Sequence, residues 1–314
     1  MESFNRSFYA DTALTPRLNE ITNKFDFSHF TQTPGAGITI EGLMASLCGV
    51  PYSFDFTDIT GGIDDKAKNT FPTQIKCAPA VLKDLGFYLY YLGGARLEYQ
   101  NNRGLFKTLG FDEAWGQDEL KQAKNIQNLG AWGVYDDELF GIAYDDFIRL
   151  SKQNRPFLMS VMTTSTHVPD GALSPYCQKL SGSSDYEKAI KCTDIVISDF
   201  IQKIKSSTYA TNTIIALISD HTMPSGFAPK EIDEKYDSGY LLFHLIDSDI
   251  AENKQIALKG TSLDSFATIL GYMSISNELN LGRNVFKQKS LKEQNFGELD
   301  YSTAAIISKK LEYK

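Results

Sequence analysis

Residues 213–226 read TIIALISDHTMPSG. The apolar run fits a short buried strand, and it stops abruptly at Asp220-His221. A carboxylate beside an imidazole at a strand end has two readings. It starts a turn, or it holds a divalent cation. Taken alone, the dipeptide leaves the turn as the simpler reading. Two other predicted strands also end in chemically capable residues. PFLMSVMTTSTH (156–167) ends at His167, and FDFSHFTQ (25–32) leads through a glycine turn to Thr39. In open α/β sheets, sites form beyond the carboxyl ends of strands, so these three ends mark where chemistry is expected.

Further strands and helices alternate around them. FYLYYLGG (87–94) and GYLLFHLID (239–247) read as strands. APAVLKDLG (78–86), DDELFGIAYDDFIRLSKQ (136–153), IVISDFIQKIKSS (195–207) and DSFATILGYM (264–273) read as helices. The alternation predicts an α/β fold with a largely parallel central sheet flanked by helices. The stretch after LGRNVF (281–286) is polar and weakly patterned. The expected partition is a catalytic domain over 1–275 and a C-terminal appendage over 276–314.

Composition narrows the function classes. The chain has 314 residues, 42% apolar and 22% charged, which suits a globular protein with ample core. A net charge of −8 and the lack of a basic, aromatic-interleaved cluster argue against nucleic-acid binding. No apolar run approaches the ~20 residues that span a bilayer. Met1 is followed directly by Glu2 and Ser3, without a signal-peptide pattern. The four cysteines, at 48, 77, 177 and 192, show no CxxC or zinc spacing. They read equally as buried thiols or as two disulfides in one of three connectivities. Cys177 and Cys192 flank a polar stretch, QKLSGSSDYEKAIK (178–191), that looks like a stapled surface excursion.

Thr39 opens the helix IEGLMASLC, which Gly49 and Pro51 close. Threonine at such a place commonly caps the helix. The same N-terminus also attracts anions, and a hydroxyl there beside a metal can attack phosphorus. His29 and His244 fall inside strand patterns and read as core or surface residues. Asp136 and Asp137 read as acidic residues favouring a helix start.

Several segments together carry a family resemblance: ESFNRSFY (2–9), FSHFTQTPGAGITIEGLMASLCGVPY (27–52), LGFDEAWG (109–116), WGVYDDELF (132–140), TSTHVPDG (164–171) and ISDH (218–221). In order and spacing the chain resembles the sulfatase/alkaline-phosphatase superfamily, and within it the phosphoglycerol transferase and lipoteichoic acid synthase-like branch. ASLCGVP, THVPDG and the cysteine placement favour the glucan-modifying members. The resemblance implies that Thr39 is the nucleophile, and that Glu2, Asp220 and His221 hold one divalent metal together with Thr39. It implies that His167 lines the substrate pocket. Arg96 and Trp132 are further candidates for substrate binding. The resemblance implies a manganese or magnesium ion, and three oxygens with one nitrogen make a hard site that agrees; Mn2+ is the expected ion, with Mg2+ or Zn2+ as alternatives.

The implied activity is transfer of glycerophosphate from a phosphatidylglycerol-type lipid headgroup to a periplasmic glucan or similar glycan acceptor, through a covalent threonine intermediate. Alternatives are a phosphoethanolamine transferase or phosphodiesterase of the same fold, or an inactive binding domain. A true sulfatase needs a C/S-x-P-x-R motif, and CAPAV (77–81) fails it at Val81. Family members place an apolar strand directly before the metal-binding glutamate, and membrane helices ahead of that. The expectation is therefore an N-terminally truncated domain without its first strand, working at the outer face of the inner membrane through an anchor outside this sequence. With periplasmic placement, the even cysteine count favours bridges 48–77 and 177–192.

Overall fold

Parallel strand pairs organise the chain in the computed structural model, which describes residues 1–52, 71, 74–236 and 239–293. The strands are β1 (Lys24–Thr31), β2 (Tyr88–Gly93), β3 (Glu113–Trp115), β4 (Phe157–Met162), β5 (Ile215–Ile218), β6 (Phe243–Ile246), β7 (Lys254–Thr261), β8 (Glu278–Leu279) and β9 (Gly282–Arg283). The helices are α1 (Arg6–Ala10), α2 (Pro16–Glu20), α3 (Thr39–Cys48), α4 (Ala78–Asp84), α5 (Asn102–Thr108), α6 (Gln117–Lys124), α7 (Asp136–Ser151), α8 (Asp185–Lys205), α9 (Lys230–Tyr236) and α10 (Asp264–Tyr272).

One sheet runs β3-β2-β4, all parallel. The other runs β5-β6-β1-β7, where β1 and β7 are parallel and β6 is antiparallel to both neighbours. The α/β class and the parallel pairing match expectation, but the central sheet comes in two parts. β4 and β5 each end a sheet, and the first residues of the chain join their carboxyl ends. The Met1 ammonium donates to the Ile218 carbonyl, and the Glu2 N–H donates to Thr163 Oγ1 at 2.8 Å.

Local sequence explains most elements. Gly49 ends α3 in a left-handed conformation (φ 63°) and returns its N–H to Ala45 O at 2.9 Å. α8 begins earlier than the apolar pattern suggests, because Ser184 Oγ caps it by accepting the Glu187 N–H at 3.2 Å. Half of the polar stretch between Cys177 and Cys192 is therefore helix rather than loop. β3 and β7 escape sequence reading: one is three residues long, and the other is largely exposed along an edge, so neither shows strand alternation.

Packing follows the apolar faces. α1, α2 and α8 share a core of Phe4, Phe8, Leu18, Tyr186, Ile197 and Ile201. α3 buries Ile40, Met44 and Leu47 against Tyr91 and Phe106, whose rings stack at 3.6 Å. Phe27 stacks on Phe243 at 4.3 Å between β1 and β6. Residues 276–293 fold back onto α3 and α10, where the Leu281 N–H bonds Gly49 O at 3.0 Å. The rest of the expected appendage, 294–314, lies outside the described residues.

Both disulfides are present, Cys48–Cys77 and Cys177–Cys192. The first ties the end of α3 to the start of α4. The second ties the turn after Tyr176 to α8.

Candidate active site

The end of β5 passes so close to α3 that only glycine fits between them. A Cβ on Gly42 would lie 2.2 Å from Asp220 O. This contact sets Asp220-His221 beside the first turn of α3, where Thr39 sits. Glu2 enters from the chain start. Its N–H is held by Thr163, and its carbonyl accepts the Thr166 hydroxyl. Three remote segments thus converge, and ligand atoms of Glu2, Asp220 and His221 lie within 4.8 Å of one another.

Each side chain is held in orientation. The Thr39 hydroxyl donates to Glu2 Oε2 at 3.1 Å, while Ser3 Oγ donates to Glu2 Oε1 at 2.6 Å. Asp220 Oδ1 accepts the N–H groups of Ser3 (3.0 Å) and His221 (2.8 Å). His221 Nδ1 donates to the Thr222 carbonyl at 2.8 Å. That bond turns Nε2 toward Glu2 Oε1 (3.5 Å) and Asp220 Oδ2 (3.4 Å). Asp220 Oδ2 is buried without a hydrogen-bond partner. Thr39 does not cap α3. The N-cap position is Ile38, which makes no side-chain cap, and Glu41 Oε2 reaches back to the Gly37 N–H at 3.1 Å.

The electrostatics are those of two buried carboxylates sharing one imidazole. Burial, then the charge of Glu2, push the Asp220 carboxyl up. Burial opposes ionisation of Glu2 as well, but contact with His221 outweighs it and holds that carboxyl down. Burial disfavours the His221 imidazolium, yet Asp220 and Glu2 together raise it above its ordinary value.

A model of the sulfatase family matches residues 1–275. The chain belongs to the sulfatase family. It is 32% identical over 302 residues to phosphoglycerol transferase I of Shigella flexneri, covering 93% of this chain and 39% of that protein. This sulfatase-family chain therefore spans well under half the length of that relative. Among solved structures it superposes on a protein of the alkaline phosphatase superfamily from Vibrio parahaemolyticus, with TM-score 0.70, 24% identity and coverage of 92% of this chain and 68% of that one. It also superposes on the lipoteichoic acid synthase LtaP from Listeria monocytogenes, with TM-score 0.72, 18% identity and coverage of 91% and 73%. These two likenesses establish the fold.

Around the cluster, this sulfatase-family site brings some sequence candidates together and leaves others apart. His167 donates from Nδ1 to Val168 O at 2.7 Å, and its ring stacks on Trp132 at 3.6 Å. Thr166, the residue before it, donates its hydroxyl to the Glu2 carbonyl, so the stack lies on the flank of the cluster. Arg96 is not brought to the cluster. It pairs with Asp118 at 3.1 Å, and both side chains are nearly half exposed. His29 bonds Ser28 and lies away from the trio, and His244 is buried against Asp26.

Two residues matter more than their sequence context suggests. Asp136 accepts the N–H groups of Thr164 (2.9 Å) and Ser165 (3.0 Å), so this helix-start carboxylate fixes the loop that carries His167. Gln100 Oε1 accepts the Ile40 N–H at 3.1 Å, directly after Thr39. Gln100 and Asn101 both adopt left-handed conformations (φ 51° and 54°), a costly pairing for non-glycine residues. No sequence signal marks Gln100, because its partner is 60 residues away. Asp136 was legible only as a helix start.

Proposed function

We propose that this chain is the catalytic domain of a metal-dependent phosphoglycerol transferase. It moves glycerophosphate from a phosphatidylglycerol-type donor to a periplasmic glucan or similar glycan, through a covalent intermediate on Thr39. The observation that carries this reading is the Thr39 hydroxyl at the start of α3, bonded to a carboxylate of the buried Glu2–Asp220–His221 trio. The kinship with phosphoglycerol transferase I supports it.

The trio fits a divalent cation. Asp220 Oδ2 is buried without a partner, His221 presents Nε2, and the donor set of carboxylate and hydroxyl oxygens with one imidazole suits a hard or borderline ion. Glu2, Asp220, His221 and Thr39 would hold it, with Mn2+ as the proposed ion. When bound, such an ion supplies Lewis-acid polarisation of the phosphoryl group and favours the ionised hydroxyl.

The chain's own residues do the rest. Glu2 orients Thr39 Oγ1 toward the phosphorus. A Thr39–phosphorus bond forms as the bond to the diacylglycerol oxygen breaks, and diacylglycerol leaves carrying a proton. An acceptor hydroxyl then attacks phosphorus, and Thr39 regains its proton. The Ile40 N–H, released from Gln100, faces the developing charge at the helix N-terminus. His167 binds a phosphoryl oxygen through Nε2, with its ring held by Trp132. The two disulfides suit an oxidising compartment. No helix among the described residues is long and apolar enough to cross a membrane. Contact with lipid at the membrane surface is proposed from the kinship with phosphoglycerol transferase I.

The test measures diacylglycerol release from a fluorescent phosphatidylglycerol donor with Mn2+, alongside thermal melts and intact mass. Thr39→Ala is expected to melt like the parent and to lose turnover by orders of magnitude, with no covalent adduct. Thr39→Ser is expected to retain some turnover. Near-parental release by Thr39→Ala would sink the proposal.

A further inference from the structure

The stretch between Cys177 and Cys192 drew attention in the sequence but has no part in the chemistry above. In the fold it builds a wall. A cavity of about 510 Å³ lies between this stretch and the segments that carry Trp132 and His167. That volume falls in the range of small-molecule sites. Ala131 and Gly171 line its inner side, next to the Trp132–His167 stack, and the Gly171 N–H bonds His167 O at 2.9 Å. On the outer side Gln178 follows Cys177 in its turn, while Asp185 and Lys188 stand on the first turns of α8. The Cys177–Cys192 bridge fastens that turn to α8, and so holds the two parts of the wall together.

The lining chemistry selects among ligands. It carries two carboxylates, Asp170 and Asp185, against one ammonium, Lys188, and Lys188 already pairs with Asp185 at 2.9 Å. An anionic headgroup is repelled by that balance. Acyl chains find few partners, since Tyr135 and Leu173 are the only large apolar side chains in the lining. An aromatic ring set among carboxylate, carboxamide and ammonium groups suits a neutral polyol. The ring covers C–H faces, and the polar groups exchange hydrogen bonds with hydroxyls.

We propose that this cleft is the acceptor subsite and takes a neutral glycan, one hydroxyl of which reaches past the Trp132–His167 stack to the phosphoryl group on Thr39. There a bond from the sugar oxygen to phosphorus forms, the bond from Thr39 Oγ1 to phosphorus breaks, and the hydroxyl proton passes to Thr39. This rests on the transferase reading above.

Gln178 and Asp185 are exposed, so Gln178→Ala with Asp185→Ala tests the cleft without disturbing the core. The probe is a linear β-linked glucotetraose, titrated calorimetrically into the full chain, with donor cleavage into water and transfer to the tetraose measured in parallel. The double variant is expected to bind the tetraose at least tenfold more weakly and to show a matching rise in acceptor KM. Donor cleavage into water is expected to stay within twofold of the parent. Unchanged affinity in the double variant, or no tetraose binding by the parent, overturns the proposal. A parallel fall in donor cleavage also overturns it, because the cleft then serves the donor. If the parent binds tetraose, the variant does not, and neither cleaves donor, the cleft stands and the transferase reading falls.

Discussion

Asp220 with His221 and Asp26 with His244 are the same residue pair in two settings. Asp26 lies on β1, accepts His244 Nε2 at 3.2 Å, and also takes a two-pronged bond from the Arg6 guanidinium, one arm at 2.8 Å. One carboxylate there meets one fixed cation, and the imidazole stays buried with the Tyr9 ring edge-on at 4.4 Å. The Glu2–Asp220–His221 group holds two carboxylates, and no arginine or lysine pairs with them among the described residues. One of its oxygens is left without a partner. A carboxylate–imidazole pair is therefore structural where the chain supplies its own cation. It becomes a candidate cation site where a second carboxylate replaces the arginine.

The contrast is sharpest when each aspartate is neutralised in turn. Asp26→Asn strands the Arg6 guanidinium, whose side chain is only 12% exposed, and should cost about 3 kcal/mol in urea unfolding. Mn2+ affinity should not change. Asp220→Asn should do the reverse. It should weaken Mn2+ binding at least about 100-fold, beyond the range for groups that merely orient a ligand. The cation-free protein should change little in stability, because relief of the Glu2–Asp220 repulsion offsets the loss of the carboxylate beside His221. Equal Mn2+ affinity in Asp220→Asn and the parent would break the comparison.

Acid should act on the structural pair in a defined direction. Burial holds the His244 imidazole below its ordinary value despite Asp26. Burial opposes ionisation of Asp26 too, but His244 and Arg6 outweigh it and hold that carboxyl down. Below about pH 6.5 the unfolded chain takes up a proton at residue 244 that the folded chain refuses, so stability falls. Below about pH 4 the Asp26 carboxyl adds to the loss. The slope from each group is at most about 1.4 kcal/mol per pH unit. His244→Gln should flatten the loss between about pH 6.5 and 5 in urea unfolding, and an unchanged slope there would show that His244 titrates alike in both states.

The smallest effect is expected at Arg96. Its exposed pairing with Asp118 predicts that Arg96→Ala changes stability by less than about 0.5 kcal/mol in thermal melts. Donor cleavage should not change. A tenfold fall in cleavage would place the guanidinium at the substrate after all.

How much of this was legible in the sequence depends on how far apart the partners lie. The polar segments that follow β4 and β5, down to His167 and to Asp220-His221, could be read because an apolar run and the polar residues that stop it are adjacent. The closing glycine of α3 and its apolar stripe were legible for the same reason. Arg96 could be read either way, because a loop cation looks alike whether it meets substrate or a neighbouring aspartate. The extent of α8 was misjudged because its cap, Ser184, sits in a run of small polar residues that also suits a loop.

By itself the sequence determined the repeating local choices: period-two and helical apolar patterns, the turn glycines, and which residue types end the strands. Each depends on backbone and side-chain preferences over a few neighbours. Only the tertiary structure decided which charges meet. Ser3 reaches Asp220 across 217 residues, Thr39 reaches Glu2 across 37, and Arg6 reaches Asp26 across 20. Those meetings follow from sheet order and from the close pass of β5 over Gly42, where backbone contact leaves no room for a side chain. Whether an aspartate beside a histidine ends as an internal ion pair or as an open cation site is settled there, because the balance of buried charge is a property of the packed neighbourhood.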